Sequence, residues 1–299
     1  MDERRGAPLL RTPTATRRSL LWLATAIGGF PAVTRLGTER HADAVDGPRR
    51  PFPQRLAYAP GTLRPDHRSQ RQLDDDVRAA YDRWKAAYLV EEGDGADGLP
   101  RFRVALGKPG GEAHAVTVSE GQGFGMVVVP HLAGHDPDAQ TIFDGLWRFC
   151  RDHPSAIDPR LMNWHVPPDP NGNASAFDGD CDVAYGLLLA GAQWGTSADI
   201  DYAAAARQVL ASILASTIGP RSHLPMLGDW VDPDGPLYNQ NTPRTSDFMP
   251  GHFRAFGRAT SNPVWQVTTT SSQTESPVAR PKARKWPSMK SEVRGVVWL

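Results

Sequence analysis

The chain has 299 residues, of which 40% are hydrophobic and 22% are charged, a composition typical of a globular protein with a full hydrophobic core. Thirty-three basic and thirty-three acidic residues cancel to a formal charge of zero, so no global electric field favours nucleic acid or an anionic membrane as a partner. We therefore expect a ligand that is neutral or recognised by local contacts.

Residues 1–65 are interpreted as an export signal followed by a disordered linker. Arg17 and Arg18 precede an apolar stretch that begins at Leu20, and an Ala-Asp-Ala cleavage site follows at 42–44. This combination predicts a secreted or periplasmic protein that uses the twin-arginine route, and an uncleaved disordered leader is the alternative. The apolar stretch is interrupted by Gly and Pro and is too short for an integral membrane span.

Five segments carry the three- and four-residue apolar spacing of amphipathic helices. They are residues 70–90, 138–154, 181–195, 198–216 and 246–261. Pro154 ends the second segment, and Gly195 is expected to form the C-cap of the third. Ser246 is expected to cap the fifth helix, in which Phe253 and Phe256 turn inward. Because βαβ alternation and a nucleotide-binding glycine pattern are both missing, we predict an all-α protein with its chemistry on loops.

The apolar stripes of the first three helices can be assigned to individual residues. They are Val77, Ala80, Tyr81, Trp84, Ala87 and Tyr88, then Ile142, Leu146, Phe149 and Cys150, then Val183, Leu187, Ala190 and Trp194. Cys150 and Cys181 have neither C-x-x-C spacing nor a histidine partner at ligand spacing, so a zinc site is not expected. One disulfide and two buried thiols remain equally open.

A carboxylate stands between glycines and an apolar run in "TVSEGQGFGMVVV", residues 117–129. We interpret the glycines as a turn that lets the backbone pass close behind Glu120, and the run that follows as a buried segment. Such an acid either caps a helix with its hydrogen bonds satisfied or takes part in the chemistry of the protein. Burial against Phe124 and Met126 would raise its pKa and keep it protonated near neutral pH, as an acid catalyst requires.

A second acidic cluster, "SAFDGDCDVAYGLLLAGAQW", leads into the third helix. Asp178, Asp180 and Asp182 alternate there, and a helix N-terminus favours negative charge. A capping cluster and a calcium loop are the alternatives to a catalytic role. The calcium interpretation is weak because the glycine and bidentate glutamate of an EF-hand are missing, so we expect neither a metal nor a cofactor.

Six stretches taken together resemble successive blocks of glycoside hydrolase family 8, in the same order. They are "TVSEGQGFGM", "FDGLWRF", "LMNW", "FDGDCDVAYGLLLAGAQW", "LGDW" and "PRTSDFMPGHFRAF", between residues 81 and 265. The resemblance implies an (α/α)6 barrel of paired helices, the six-hairpin glycosidase architecture. It also implies an enzyme of the class that holds bacterial endo-β-1,4-glucanases (cellulases), licheninases, chitosanases and some xylanases.

The resemblance also implies roles for individual residues. Glu120 matches the proton donor of the family, and Asp178 matches the first Asp of its A-[ST]-D-[AG]-D block, which holds a distorted sugar in an inverting mechanism. Trp164 and Trp230 match aromatic positions that resemble sugar-stacking platforms, with core packing as the alternative. Three positions depart from the family pattern. Phe124 stands where the family has Tyr, Phe177 where it has Ser or Thr, and Gly186 where it has Ser or Ala.

The family pattern ends just after Trp265, where a Ser/Thr-rich and then basic stretch begins. We therefore expect an incomplete barrel with a partial catalytic domain at 66–266 and an aberrant, disordered tail at 267–299. No residue matches the catalytic base of the family, and Arg244 and Asp247 are interpreted as structural supports of their loop. The expectation is a truncated or frame-shifted product that is marginally stable and weakly active or inactive alone.

The expected function is hydrolysis of β-1,4-glycosidic bonds in a polysaccharide such as cellulose or mixed β-glucan, by a monomer. Xylan and chitosan remain possible substrates within the same family. A non-catalytic glycan-binding remnant that keeps Trp164, Trp230 and Asp178 is the first alternative. A helical scaffold whose acids are only caps is the second.

Overall fold

The computed structural model describes residues 47–53, 60–63, 66–170 and 172–274 of the chain. The predicted export signal and its cleavage site lie outside the described residues, and so do residues 275–299 of the predicted tail. None of the helices in the described ranges has the length and apolar character needed to cross a bilayer.

Within these ranges the chain forms seven α-helices and two small antiparallel sheets. The helices are α1 (Gln70–Tyr88), α2 (Ser119–His131), α3 (Ala139–Asp152), α4 (Phe177–Trp194), α5 (Tyr202–Ser216), α6 (Pro250–Thr260) and α7 (Val264–Thr274). In the sheets, β1 (Leu89–Asp94) pairs with β2 (Pro100–Val104), and β3 (Thr117–Val118) pairs with β4 (His165–Val166). The five predicted helices correspond to α1, α3, α4, α5 and α6.

The predicted apolar stripes are buried in α3 and only partly covered in α1. All four residues assigned to the inner face of α3 are buried. On α1, Tyr81 is buried, Trp84, Ala87 and Tyr88 are partly buried, and Val77 and Ala80 are exposed. A capping box formed by Ser69 and Gln72 begins α1.

The glycine-rich stretch around Glu120 forms helix α2, so the predicted glycine turn is wrong. Each glycine inside a helix costs about 1 kcal/mol relative to alanine, which is why the local sequence favours a turn. Tertiary contacts offset this cost. The fully buried Gln122 accepts a hydrogen bond from Val104 N (2.9 Å) and donates to Leu146 O (3.0 Å), which joins α2 to β2 and α3.

Helices α2 and α4 lie unusually close together because glycines line their contact. At three glycines, an added Cβ would come within 2.7 Å of an atom on the facing helix: Gly123, Gly179 and Gly186, which face Asp182, Ser119 and Met126. Residue numbers increase in the same direction along both helices from one contact to the next, so α2 and α4 run parallel. Their N-termini therefore lie at the same end of the fold.

The helices alternate along the chain between a row of neighbouring helices and helices that pack against that row. Helices α2, α4 and α6 form the row, since α4 contacts both α2 and α6, and α3, α5 and α7 pack against α2, α4 and α6 respectively. This alternation is the repeating unit of the (α/α)6 barrel expected from the sequence, and the described residues contain three such pairs. The core between them includes the fully buried residues Phe143, Phe177, Tyr202, Phe253, Phe256 and Trp265.

Two predicted domain boundaries need correction. Residues 47–53, predicted as disordered linker, pack on the ends of α2 and α4: Arg50 N donates to Gln193 Oε1 (2.6 Å), and Gln193 Nε2 donates to Pro130 O (2.7 Å). At the other end, α7 continues past residue 266 to Thr274. The Thr-rich run stays helical with Thr268 and Thr269 buried, and the Thr269 hydroxyl is satisfied by a bond to Trp265 O (2.7 Å).

Two further local predictions have clear outcomes. Ser246 does not cap α6, since it lies in a short 3-10 turn (Thr245–Asp247) and α6 begins at Pro250, a residue that suits the first helical turn. Cys150 and Cys181 are both buried free thiols. Their free state decides between the alternatives left open by the sequence, and Cys150 Sγ lies 3.7 Å from Met126 Sδ.

Candidate active site

Glu120 lies in the first turn of α2, where the chain leaves the small β3–β4 sheet. Thr117 pairs with Val166 in that sheet, and the Ser119 amide donates to Trp164 O (2.9 Å). These bonds fix the start of the helix and place Trp164 beside the acid. The Trp164 side chain is half-buried, so part of its ring remains accessible at this end of the fold.

Asp178 occupies the equivalent first turn of α4. One carboxylate oxygen accepts from the Gly179 amide (2.9 Å), and the other accepts from Arg244 Nη2 (3.3 Å). Because α2 and α4 run parallel with Ser119 against Gly179, the side chains that follow these helix starts converge. The structure thus brings together Glu120 and Asp178, which are far apart in the sequence.

The three aspartates of the second acidic cluster are held by three different groups, and Asp180 faces away from Asp178 and Asp182. Asp178 contacts Arg244, Asp180 accepts from the Met162 amide (3.1 Å), and Asp182 accepts from His252 Nε2 (2.8 Å). This divergence follows from helix geometry, since residues two apart on a helix face opposite sides. A calcium loop would need the three carboxylates to converge, and that interpretation is wrong here.

Arg244 links Asp178 to a carboxylate that is completely buried. Its guanidinium donates from Nε to Asp247 Oδ2 (3.1 Å), and its Nη2 lies 3.1 Å from Asp247 Oδ1. The fork geometry leaves the same Nη2 in contact with Asp178. Arg244 and Asp247 were interpreted as loop supports, and the structure adds that they also hold Asp178.

The electrostatic surroundings raise the pKa of Glu120. Burial makes the largest contribution, because removal from water disfavours the charged carboxylate, and the negative charge of Asp178 raises the pKa further. Arg244 acts in the opposite direction, and more weakly Asp182 and Asp247 also raise the pKa. The result is a carboxyl group that keeps its proton to a higher pH than an ordinary glutamate.

One neighbour predicted for Glu120 lies elsewhere. Phe124, one turn further along α2, shares its face and is 38% exposed. Met126 is six residues from Glu120, which places it on another face of the helix, fully buried against Gly186. The predicted contact with Met126 is therefore wrong, and the charged groups that act on Glu120 come from α4 and the 244–247 turn.

We expect the pKa of Glu120 to respond in opposite directions to two substitutions. Asp178→Asn removes a neighbouring negative charge and should lower the pKa, whereas Arg244→Met removes a positive charge and should raise it. Carbon-detected NMR titration of the glutamate side chains measures both without any need for turnover. Shifts of the same sign in the two variants would contradict the arrangement of charges described above.

The buried Asp182 and the partly buried His252 form a pair that the sequence did not reveal. The pair joins α4 to α6, and the His252 ring lies against Tyr185 with 4.2 Å between ring centroids. Burial raises the pKa of Asp182, and the bond to His252 partly opposes this effect. The only sequence signal was the spacing of Asp178 and Asp182, which puts both on one helix face.

Trp230 stands on a loop that is anchored next to Asp178. The neighbouring Asp229 accepts from Ser175 N (2.8 Å), Ser155 Oγ (2.5 Å) and Asp158 N (3.1 Å). Trp230 itself is 46% exposed, so it is not a core residue. Both predicted aromatic positions therefore border the end of the fold that carries Glu120 and Asp178, and both keep accessible ring surface.

The stability of the protein should depend on the protonation of Asp247. Burial raises the pKa of this carboxyl from 3.8 to about 6, with Arg244 opposing the shift. The folded state thus holds the proton more tightly than the unfolded state, so this contribution to stability is complete below pH 3.8 and is lost as the pH rises through about 6.

Replacing Asp247 with Asn removes this titration and provides the measurement. Urea denaturation gives the unfolding free energy of the wild type and of Asp247→Asn at each pH. We expect the wild-type value minus the variant value to fall by up to about 3 kcal/mol between pH 3.5 and pH 8. The other titrating groups are common to both proteins and cancel in the difference. A difference of the opposite sign would mean that the ion pair with Arg244 outweighs burial.

Comparison with known proteins agrees with the resemblance seen in the sequence. The profile of one protein family, Glycosyl hydrolases family 8, matches residues 71–281. The chain is 38% identical over 225 residues to a beta-glucanase of Niallia circulans, a match that covers 74% of this chain and 52% of the relative. It is 39% identical over 229 residues to an endoglucanase of Bacillus sp. (strain KSM-330), covering 74% and 47%.

Among solved structures, the apo beta-1,3-1,4-glucanase from Paenibacillus sp. X4 superposes with a TM-score of 0.67 at 36% identity, covering 76% of this chain and 58% of that one. The chain spans about half the length of the curated relatives it matches. The family match runs past residue 266, in keeping with the helical continuation through α7. The chain belongs to glycosyl hydrolases family 8, and the (α/α)6 barrel expected from its sequence is confirmed.

Proposed function

We propose that this protein hydrolyses β-1,4-glycosidic bonds in a polysaccharide such as cellulose or mixed β-glucan, with Glu120 as the proton donor. The observation that carries the proposal is the position of Glu120, partly buried beside Asp178 with a raised pKa. The names of the relatives, beta-glucanase, endoglucanase and beta-1,3-1,4-glucanase, support a β-glucan as the substrate.

In the proposed inverting reaction, Glu120 gives its proton to the glycosidic oxygen as the bond from that oxygen to the anomeric carbon breaks. A water molecule attacks the opposite face of the sugar and passes its proton to a carboxylate base, which stands roughly 6.5–9.5 Å from the acid in such enzymes. The products are a hydroxyl on the leaving chain and a hemiacetal of inverted configuration. Glu120 must then regain a proton before the next turnover.

Asp178 has the geometry of a sugar-holding group. Its carboxylate is mostly buried, and Arg244 and the Gly179 amide hold it in one orientation. A fixed carboxylate accepts hydrogen bonds from sugar hydroxyls, and such bonds can favour a distorted ring at the point of cleavage. Trp164 and Trp230 would stack on neighbouring sugars, which requires no net charge on the protein.

The base is not assigned among the described residues. Asp180, Asp182 and Asp247 are the acids nearest in sequence and contact to the pair, and all three are buried. Each is held by another group of the protein, so none of them fits a base that must contact a water molecule beside the substrate. We therefore propose that turnover by this chain alone is slow.

Reducing-sugar release from carboxymethylcellulose and mixed-linkage glucan tests this proposal, with xylan and chitosan as comparison substrates. Because azide attacks without losing a proton, it replaces both the water and the base. We expect little reducing-sugar release in buffer alone. Cleavage should be faster with azide and is followed by viscosity and by mass spectrometry of the glycosyl azide of inverted configuration, since that product has no reducing end. No cleavage of any of the four glycans under either condition would rule out the hydrolase.

A non-catalytic glycan-binding protein is the second candidate, and the burial of Asp180, Asp182 and Asp247 favours it. Such a protein would keep Trp164 and Trp230 as its sugar contacts. Binding of cello-oligosaccharides, measured by tryptophan fluorescence, without product even in azide would support this candidate over the enzyme.

We also propose that the protein is exported, to the periplasm or the medium, by the twin-arginine route, and that it acts as a monomer. The arginine pair at 17 and 18 and the Ala-Asp-Ala site at 42–44 support export. Replacing both arginines with lysine should leave the protein in the cytoplasm of an expressing bacterium. Sedimentation of the purified chain measures its oligomeric state.

A further inference from the structure

A second aromatic ring stands against Trp230 on the loop that precedes α6. Tyr238 and Trp230 have ring centroids 5.7 Å apart and ring planes at 79°, an edge-to-face contact. Tyr238 is 37% exposed and Trp230 is 46% exposed, so each ring keeps accessible surface. Nothing in the sequence comparison gives Tyr238 a role.

Buried polar groups hold this loop rigid at the Tyr238 end. Gln240 is almost completely buried, and its Oε1 accepts hydrogen bonds from Arg221 N (2.9 Å) and Ser222 N (3.1 Å). Its Nε2 donates to Pro233 O (3.2 Å), across the loop from Tyr238. A loop secured in this way needs little ordering when a ligand arrives, and such preorganisation favours binding.

The same loop is secured at its other end next to Asp178. Leu227 O accepts from Phe177 N (3.2 Å), and Asp229 accepts from Ser175 N (2.8 Å). Both bonds reach the segment that leads into the first turn of α4. The aromatic pair is therefore fixed in position relative to the proposed active site.

We propose that Tyr238 and Trp230 together form one preformed subsite for a glucose unit of the β-linked glucan chain, with Tyr238 as a direct sugar contact. This inference rests on the proposed function, because the loop that carries the two rings is bonded to the segment leading into Asp178. Because the two ring planes meet at 79°, one ring can stack on the face of a pyranose while the other contacts the edge of the same sugar. The Tyr238 hydroxyl can also exchange hydrogen bonds with a sugar hydroxyl, which a purely apolar partner would not use.

Binding of cellohexaose and xylohexaose to the full chain tests the inference, by titration calorimetry and tryptophan fluorescence. All variants are made in the Glu120→Gln background so that no ligand is consumed. We expect Tyr238→Ala to weaken cellohexaose binding roughly two- to tenfold, the range for one aromatic contact, and Tyr238→Phe to lose only part of that. Leu237→Ala is the matched control, since this neighbouring loop residue is 70% exposed and should change nothing.

Three outcomes would overturn the inference. The first is a Tyr238→Ala chain that binds cellohexaose as tightly as its parent while Trp230→Ala weakens binding, which leaves the proposed function intact. The second is a change in sedimentation caused by Tyr238→Ala, which would assign the surface to a second copy of the chain. The third is failure of every hexasaccharide to bind together with failure of all glycan hydrolysis, which would remove the proposed function as well. Circular dichroism checks that each variant is folded.

Discussion

Replacing Glu120 with Gln is expected to lower the rate of β-glucan cleavage by roughly 10²- to 10⁴-fold, the range for loss of a general acid. The amide has the same shape as the protonated carboxyl but cannot give a proton to the glycosidic oxygen. The side chain lies at a helix start whose backbone is fixed by β3 and Trp164, so the fold should be unchanged. The measurement is the fall in viscosity of mixed-linkage glucan in the presence of azide, because the glycosyl azide formed at each cleavage has no reducing end.

A substrate that needs no acid provides the control. An aryl β-cellobioside with 2,4-dinitrophenol as the leaving group departs without protonation, so Glu120→Gln should cleave it at nearly the parental rate. Equal loss on both substrates would indicate that Glu120 holds the sugar rather than protonating it. Unchanged activity on the glucan would remove Glu120 from the mechanism, and thermal melting should show the same midpoint for both proteins.

Replacing Gly186 with Ala is expected to destabilise the protein strongly. The new Cβ would lie 2.7 Å from Met126 O and 2.9 Å from Met126 C, and backbone atoms cannot move aside as a flexible side chain can. Helices α2 and α4 would have to separate, and forced overpacking of this kind typically costs about 1–3 kcal/mol. That is a large fraction of the roughly 5–15 kcal/mol that stabilises a domain. Urea denaturation measures the loss.

The same substitution elsewhere on α4 should have the opposite sign. At Gly191 the nearest atoms to an added Cβ are Tyr202 Cβ at 3.8 Å and Ala203 N at 3.9 Å, which are ordinary contacts. Gly191→Ala should therefore stabilise the protein by roughly 0.5–1 kcal/mol, since alanine favours the helix. Equal effects at the two positions would mean that the close approach of α2 and α4 is not maintained in solution. Separation of these helices would also move Glu120 away from Asp178.

Apolar periodicity predicted the elements whose burial pattern matches their secondary structure. Helix α3 is the clearest case, because Ile142, Leu146 and Phe149 recur at helical spacing and all pack inward. Phe253 and Phe256 behave in the same way on α6. In these segments the local preference and the tertiary environment agree, so the sequence alone was sufficient.

Helix α2 was missed because its local preference and its environment disagree. Three glycines in one stretch indicate a turn, and only the contact with α4 makes a glycine at 123 preferable to a residue with a side chain. The Thr-rich start of the predicted tail failed for a related reason. Its hydroxyls can bond to water in a disordered chain or to the preceding helical turn, and the buried position of Thr268 and Thr269 favours the helix.

The sequence by itself determined the family and most of the helices, and it predicted the two candidate acids, Glu120 and Asp178, because motif residues and apolar spacing are local properties that can be read along the chain. Tertiary structure alone decided the surroundings of those acids. The parallel approach of α2 and α4 brings them together, Arg244 orients one of them, and burial raises the pKa of the other. Charge interactions and desolvation depend on distance in space rather than along the chain, which is why the Arg244–Asp247 pair and the Tyr238 contact became visible only in the folded protein.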